Sequence, residues 1–426
     1  MQDKFGFGAN ADAADGDGNG GMLSGVKVLD ISRVFAGPLA GQWLADFGAD
    51  VIKVEQPGRG DDCRRLPPFV QQDSGREDKV SAPFISLNRN KRSITLDFTK
   101  QEGREILLGL VRQADVLIEN FKAGSLAKYG LDYESLKQVN PALIYCSITG
   151  FGQSGPYKDR PGYDIIFQAM SGLMSLTGHN DSEPGGGPMR VGYSMVDIMT
   201  GTVAALGIVT AMFHRMRSAD GKGQFIDLAL LDTQIFSLTH MAMTYLVSGK
   251  VPVRTGNQSY TGAPVQPIDC KDFKVVVSVG NNAQWANMCR ALGVDELAED
   301  PRFVDHHLRV QNRDALLAAI EPIFLTRNAA EWVDLLNAAG VPIGPLYDLE
   351  QVFEDEQVRH RGVKRTIVHD VVGEMPTLAN PLHFSEVPVR YDSAPPLQGE
   401  HSEQILRDVL GFDDEKIATY RKAGII

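Results

Sequence analysis

Val26-Lys27-Val28-Leu29-Asp30-Ile31, a turn reaching Pro38, and then Val51-Ile52-Lys53-Val54-Glu55: this stretch decides the fold. Both runs are short, apolar and rich in β-branched residues, so each reads as a strand. Between them, Pro38 sits where a first helical turn tolerates a missing N–H. The helix it opens runs to about Phe47, and Gly48 closes it in the position favoured for a left-handed cap. Such a β-α-β unit predicts a parallel sheet with a right-handed crossover. The pattern recurs downstream. Residues 93–97, 115–119 and 142–147 read as strands, with helices over 101–113 and 133–139 between them. Strands alternating with helices predict an α/β, doubly wound domain.

The turn Arg33-Val34-Phe35-Ala36-Gly37-Pro38-Leu39-Ala40-Gly41 lacks Gly-x-Gly-x-x-Gly. Without those glycines the backbone does not approach a pyrophosphate as a dinucleotide site requires, although Glu55 stands where an acid would meet a ribose. No Walker sequence and no Gly-x-Ser-x-Gly elbow occurs, and all nine histidines lie at or after His179. His306-His307 are neighbours whose side chains diverge on a helix, which favours a solvated pair over a metal site.

The chain has 426 residues, more than one core usually serves, so two domains are expected. Hydrophobic residues make up 43% and charged residues 23%, as in soluble globular proteins. A net charge of -12 argues against general nucleic-acid binding, which depends on Lys and Arg contacts to phosphate. Cys63, Cys146, Cys270 and Cys289 are widely spaced, so neither a zinc site nor a disulfide framework is expected. Residues 1–22 are Gly-, Asp- and Asn-rich and read as a disordered tail without a targeting signal, on a cytoplasmic protein. No uninterrupted apolar run reaches membrane length.

Further along, a long helix is expected over 231–247 and a linker or mobile substrate loop to residue 267. A smaller unit follows, with a strand at 275–279 and helices near 284–292, 313–325 and 330–339. Short β-like stretches at 363–368 and 387–391 precede a helix at 402–410. Asp197 stands between the glycine-rich loop Gly185-Gly186-Gly187-Pro188 and an apolar helical pattern from Ile198 to about Arg217. Two roles are open to it: N-cap of that helix, or nucleophile. Two basic clusters stand out, one at Arg59, Arg64 and Arg65, the other at Asn88-Arg89-Asn90-Lys91-Arg92. They are either solvated loop charge or anchors for a phosphate-bearing ligand.

The succession VLDISRVFAGPLAGQWLADFGADVIKVEQPGRGDDCR, SLNRNKRSITLDF, ADVLIENFKAGSLAKYGLDYESL and NPALIYCSITGFGQSGPY strongly resembles the class III CoA-transferases, related to α-methylacyl-CoA racemase. The resemblance runs from about residue 23 through GEHSEQILRDVLGF. It implies a Rossmann-like large domain from 23–230 plus 346–426, a helix and linker at 231–267, a smaller α+β domain at 268–345, and an interlocked homodimer. It places Asp197, in VGYSMVDIMTG, at the catalytic aspartate. CoA contacts carry over to Val34, Phe35, Ala36, Leu96, Asn120, Phe121, Lys128 and Thr149. CoA or acyl-CoA is then a substrate, a free carboxylic acid the second, and no tightly bound cofactor, metal, nucleic acid or membrane is implied. Asp181 reads as a turn residue, and Asp164 as a possible helper of Asp197. Where the racemases carry a histidine this chain has Tyr163, whose ordinary pKa of about 10 suits proton transfer poorly, so transferase is favoured over racemase. Phe35 and the glycine-poor 256–264 stretch depart from formyl-CoA:oxalate transferases and favour a succinyl-CoA-type donor with a dicarboxylate.

Overall fold

The computed structural model describes residues 20–70 and 80–426. They divide into two compact units. One gathers the described residues of Met1–Ser171, Gly192–Thr239 and Glu356–Ile426; the other gathers Gly172–Val191 and His240–Asp355. The expected tail lies outside the described residues up to residue 19. Gly21 is already buried, against the Phe47 carbonyl and Gly48.

In the first unit, β1 (Lys27–Asp30), α1 (Ala36–Asp46) and β2 (Asp50–Glu55) form the expected β-α-β unit. Gly48 adopts φ 97°, the left-handed value its position predicts. Then come β3 (Lys91–Thr95), α2 (Gln101–Val111), β4 (Val116–Glu119), α3 (Tyr133–Val139) and β5 (Ile144–Thr149). They are followed by α4 (Asp164–Met170), α5 (Met195–Arg217) and β6 (Phe225–Ala229). The six strands are parallel, in the order β3-β2-β1-β4-β5-β6. That order reverses between β1 and β4, which opens a crevice at the carboxyl ends of the strands.

Both faces of the sheet are covered, which is why β4 is an unbroken apolar run before its Glu. Leu29, Ile31, Ile52 and Leu117 pack with Ile106 and Leu107 of α2 and with Ile405, Leu406 and Ile417 from the far end of the chain. Val28, Val51, Val116 and Ile118 pack with Leu44 of α1 and with Ala204 and Ile208 of α5. α5 spans 23 residues and is, by length and composition alone, apolar enough to cross a membrane. Asp197, Thr200 and Gly201 interrupt the apolar run in sequence, which is why the pattern understated it. One face of α5 is core, while Leu206, Phe213 and Met216 on it are exposed.

The edge of β3 is not left open. The Ser93 amide donates to His401 Nδ1 at 3.2 Å and the Thr95 amide to Ser402 Oγ at 3.1 Å. Gly399 donates to Ser93 Oγ at 2.9 Å. Just past β3, the Asp97 amide donates to the Ile425 carbonyl at 2.8 Å.

Two sequence expectations need correction, and one helix had no counterpart in the sequence pattern. The helix over 231–247 is two, Leu230–Ser237 and Thr239–Ser248, broken where Thr239 takes φ 40°. Residues 387–391 form no strand; Lys364–His369 pairs instead with Gly373–Leu378, a strand that Pro376 disguises. A final helix, Asp414–Lys422, follows the expected one at Ser402–Leu410.

The second unit is a three-stranded antiparallel sheet with Lys274–Ser278 central between Val265–Asp269 and Ile343–Pro345. Helices Asn282–Leu292, Arg313–Phe324 and Ala329–Ala338 accompany it, and its core holds Trp285, Phe303, Phe324 and Trp332.

Candidate active site

Asp197 is the third residue of α5, not its N-cap. The cap is Ser194, whose side chain makes no capping bond. The amides of the first three residues of α5 are nonetheless all paired. Met195 donates to the Tyr193 carbonyl and Ile198 to the Ser194 carbonyl. Val196 and Asp197 donate to Oδ2 of Asp164, at 2.8 and 3.3 Å. A side chain distant in sequence thus does the capping. Asp164 itself opens α4, and its Oδ1 accepts from the amide of buried Gln168.

The Asp197 carboxylate therefore stays out of the capping network, and among the described residues no side chain pairs with it. Burial, then the charge of Asp164, push its pKa up to about 7. The positive end of the helix would favour the anion, but those two effects outweigh it.

One turn on, Gly201 brings α5 against α1. A Cβ there would stand 2.6 Å from the Ala36 carbonyl and 3.0 Å from the Leu39 Cβ, so only glycine permits this approach. Asp197 is thereby carried beside the β1–α1 turn. The Cys63 thiol, which donates to the Val34 carbonyl at 3.1 Å, feels the Asp197 charge. Burial chiefly pushes that thiol up to about 12, with Asp61, Asp62 and Asp197 adding to it and Lys53 opposing.

The turn is strained and held. Val34 is β-branched yet has φ 72°. Asn120 grips the residue before it, accepting from the Arg33 amide at 2.8 Å and donating to the Arg33 carbonyl at 2.6 Å. Asp61 accepts from the amides of Val34 and Cys63. Buried Lys53 pairs with Asp61 at 2.8 Å. Phe35 precedes α1 without a side-chain cap, and the amides of Phe35 and Ala36 have no acceptor among the described residues.

At the carboxyl ends of β1 to β4 lies a cavity of about 250 Å³. Leu96, Phe121 and Lys128 line it, together with Arg33, Glu55, Phe98 and Tyr129. Phe98 meets Phe121 and Tyr129 edge-on, at 5.8 and 6.0 Å. The Arg33 guanidinium lies over Phe121 and the Lys128 ammonium over Tyr129. Val34, Phe35 and Ala36 are instead at the turn beside α5. Asn120 has both ends of its amide occupied by Arg33. Thr149 ends β5 and accepts from the Gly152 amide at 3.0 Å. Sequence reasoning passed over Arg33, Phe98 and Tyr129; the signal available was their position just after strands or beside Lys128.

The basic clusters are largely paired within the protein. Glu55 takes a two-pronged contact from Arg64 at 2.7 and 2.6 Å and accepts from Ser93 Oγ. Arg89 is buried on Asp46, and Lys91 is buried on Asp30 at 2.9 Å and on the Pro38 carbonyl at 2.7 Å. Neither is solvated loop charge or a phosphate anchor. Arg33, Arg59 and Arg65 surround the single carboxylate of Asp62.

In the second unit, the glycine-rich loop at 185–187 and the stretch around Gly256 are joined by hydrogen bonds through the 178–183 segment. Gly256 donates to the Gly178 carbonyl, Gly187 to His179 and Gly186 to Glu183, so these amides are already engaged. Arg254 binds the carbonyls of His179 and Ser175 and the Asp181 carboxylate. The stretch expected to be a linker or mobile substrate loop also receives side-chain bonds: His306 meets the Thr261 carbonyl, Arg309 the Ala263 carbonyl, and Arg313 those of Ser259 and Gly262. His307 meets Gln311.

The profile of CoA-transferase family III matches residues 23–402. A succinate–glutarate CoA-transferase of Agrobacterium fabrum is 44% identical over 388 residues, 91% of this chain and 95% of that protein. A succinyl-CoA:glutarate CoA-transferase of Mus musculus is 40% identical over 405 residues, 95% of this chain and 90% of that protein. Among solved structures, a CaiB/BaiF family protein from Brucella suis is similar with a TM-score of 0.81 and 44% identity, covering 92% of this chain and 100% of that one.

Proposed function

The chain belongs to CoA-transferase family III, and on that premise we propose that it moves CoA from a succinyl-CoA-type donor to a dicarboxylic acid, with Asp197 as the covalent nucleophile. The observation that carries the reading is a partly buried carboxylate, without a side-chain partner among the described residues, at the start of α5 beside the strained Val34 turn. The two relatives named for succinate or succinyl-CoA and glutarate support the substrate class.

The Asp197 carboxylate attacks the thioester carbonyl; the C–S bond breaks, giving a mixed anhydride and CoA thiolate. The thiolate attacks the aspartyl carbonyl, releasing the donor acid and leaving an aspartyl-CoA thioester. The acceptor carboxylate attacks that thioester, forming a second anhydride and freeing the thiolate. The thiolate takes the acyl group, and the Asp197 carboxylate returns. Each covalent step replaces one difficult exchange by easier ones. The unengaged amides of Phe35 and Ala36 are suited to stabilise the oxyanions that develop. The cavity beside Leu96 and Phe121 suits the apolar parts of CoA, and Lys128 and Arg33 suit its phosphates as cations that also lie over rings. The reversing strand order supports a Rossmann-like domain, and the exposed Leu206, Phe213 and Met216 support pairing with a second copy in an interlocked homodimer.

Incubation with acyl-CoA and hydroxylamine, followed by peptide mass analysis, should modify Asp197 and no other carboxylate. Asp197→Ala should abolish transfer; transfer near the wild-type rate in that variant removes the nucleophile. Succinyl-CoA, acetyl-CoA and formyl-CoA tested against mono- and dicarboxylates decide the substrate pair, and ultracentrifugation decides the assembly.

A further inference from the structure

Asp164 has no part in the covalent steps, yet it makes the contacts that define the start of α5. A helix start needs only a neutral acceptor, and Ser, Thr or Asn at the cap supplies one. Here Ser194 occupies the cap and does not use its hydroxyl. A carboxylate 32 residues upstream takes the Val196 amide, and the same oxygen takes the Asp197 amide. Its other oxygen is held by Gln168, which is fully buried, so Asp164 is itself fixed. The arrangement places one carboxylate beside another in a partly buried site, which is electrostatically unfavourable.

We propose that Asp164 is the positioning residue of the nucleophile: it occupies the Val196 and Asp197 amides at the helix start, and its charge disfavours the free Asp197 carboxylate relative to its uncharged anhydride and thioester. This rests on the reading of Asp197 as nucleophile and deepens it. The N–H groups of Val196 and Asp197 are already bonded to Asp164, so neither is left for the Asp197 oxygens to settle on. When Asp197 becomes an anhydride or thioester, its negative charge leaves on the CoA thiolate or the released acid. The repulsion from Asp164 is relieved in that step, so acylation is favoured and hydrolytic return is not. Among the described residues Asp164, from α4, is the charged group that acts on Asp197; Cys63, from the segment after β2, is a titratable group that feels Asp197 in turn.

Asp164→Asn separates the two effects, because its amide oxygen can still accept the two N–H bonds while the charge is gone. Its acid limb in kcat/KM should move to lower pH by roughly one unit, and the steady-state share of trappable aspartyl-CoA should fall about tenfold, the equivalent of that unit. Asp164→Ala loses the cap as well, so kcat should fall further while KM for acyl-CoA changes little. If Asp164→Ala does not fold, Asp164→Asn alone decides. An Asp164→Asn enzyme with the wild-type acid limb and the wild-type share of trapped intermediate overturns the inference. Wild-type enzyme in which hydroxylamine never marks Asp197 overturns the nucleophile itself, so the two failures are distinguishable.

Discussion

Replacing Asp197 by asparagine should stabilise the protein, and by an amount that grows with pH. In the folded chain, burial and Asp164 raise the Asp197 carboxyl from an ordinary 3.8 to about 7. A raised carboxyl pKa means that the folded state holds the proton more tightly than the unfolded state does. Stability from this group is full below the ordinary value and is lost as pH rises towards the folded one. Three units at 1.36 kcal/mol each give a loss of at most about 4 kcal/mol, reached above pH 7. Asparagine has nearly the same shape and never ionises, so it escapes the loss. Urea unfolding of wild type and Asp197→Asn, taken from pH 4 to pH 8.5, should give curves that diverge by about 1.4 kcal/mol per unit until near pH 7 and then run parallel. Transfer activity should vanish in the stabilised variant, as expected where a strained functional group opposes stability. Curves that stay parallel throughout would refute the account of Asp197 as a carboxyl with a strongly raised pKa.

Gly201→Ala should lower kcat and thermal stability together, by about 1–3 kcal/mol for the latter, because its Cβ must push α5 off the Ala36 carbonyl; calorimetry and steady-state kinetics test it. Asn120→Ala frees the Arg33 backbone and lets Val34 relax, so KM for acyl-CoA should rise several-fold, with a stability loss of about 1–3 kcal/mol. Lys128→Ala should raise KM for acyl-CoA without affecting folding, with an effect that shrinks at high salt, whereas Lys91→Met leaves Asp30 buried and unpaired and should cost about 3–5 kcal/mol of stability. Equal effects of these last two on KM and on stability would contradict the division between cavity cation and core ion pair.

The β-α-β unit was legible because its punctuation is local: Pro38 within the first turn and Gly48 just past the last mark both ends of α1. Asp197 was legible as a special position but not in its role at the helix start, because the capping group lies 32 residues away and no local pattern announces it. Arg89 and Lys91 misled for the opposite reason. A run of charge between apolar segments reads as surface, and its burial depends on Asp46 and Asp30 from α1 and β1. The break at Thr239 and the strand through Pro376 went against local propensity, which tertiary pairing overrode. The cavity was visible only in part, since Leu96, Phe121 and Lys128 gather with Phe98 and Tyr129 only once four strand ends are aligned.

The cover on the edge of β3 bears on how the chain is made. Ser93 and His401 are 308 residues apart, so β3 leaves the ribosome long before the segment that caps it. At about 5–20 residues per second, that interval is roughly 15–60 s. For all of it the growing chain carries a strand edge with unpaired amides, ready to pair with another nascent chain. The wall of the cavity also waits, since Asp97 lines it and is held by Ile425. The first unit therefore completes itself only as its last helices emerge, which makes the minute of synthesis, rather than the folded state, its period of greatest exposure to aggregation.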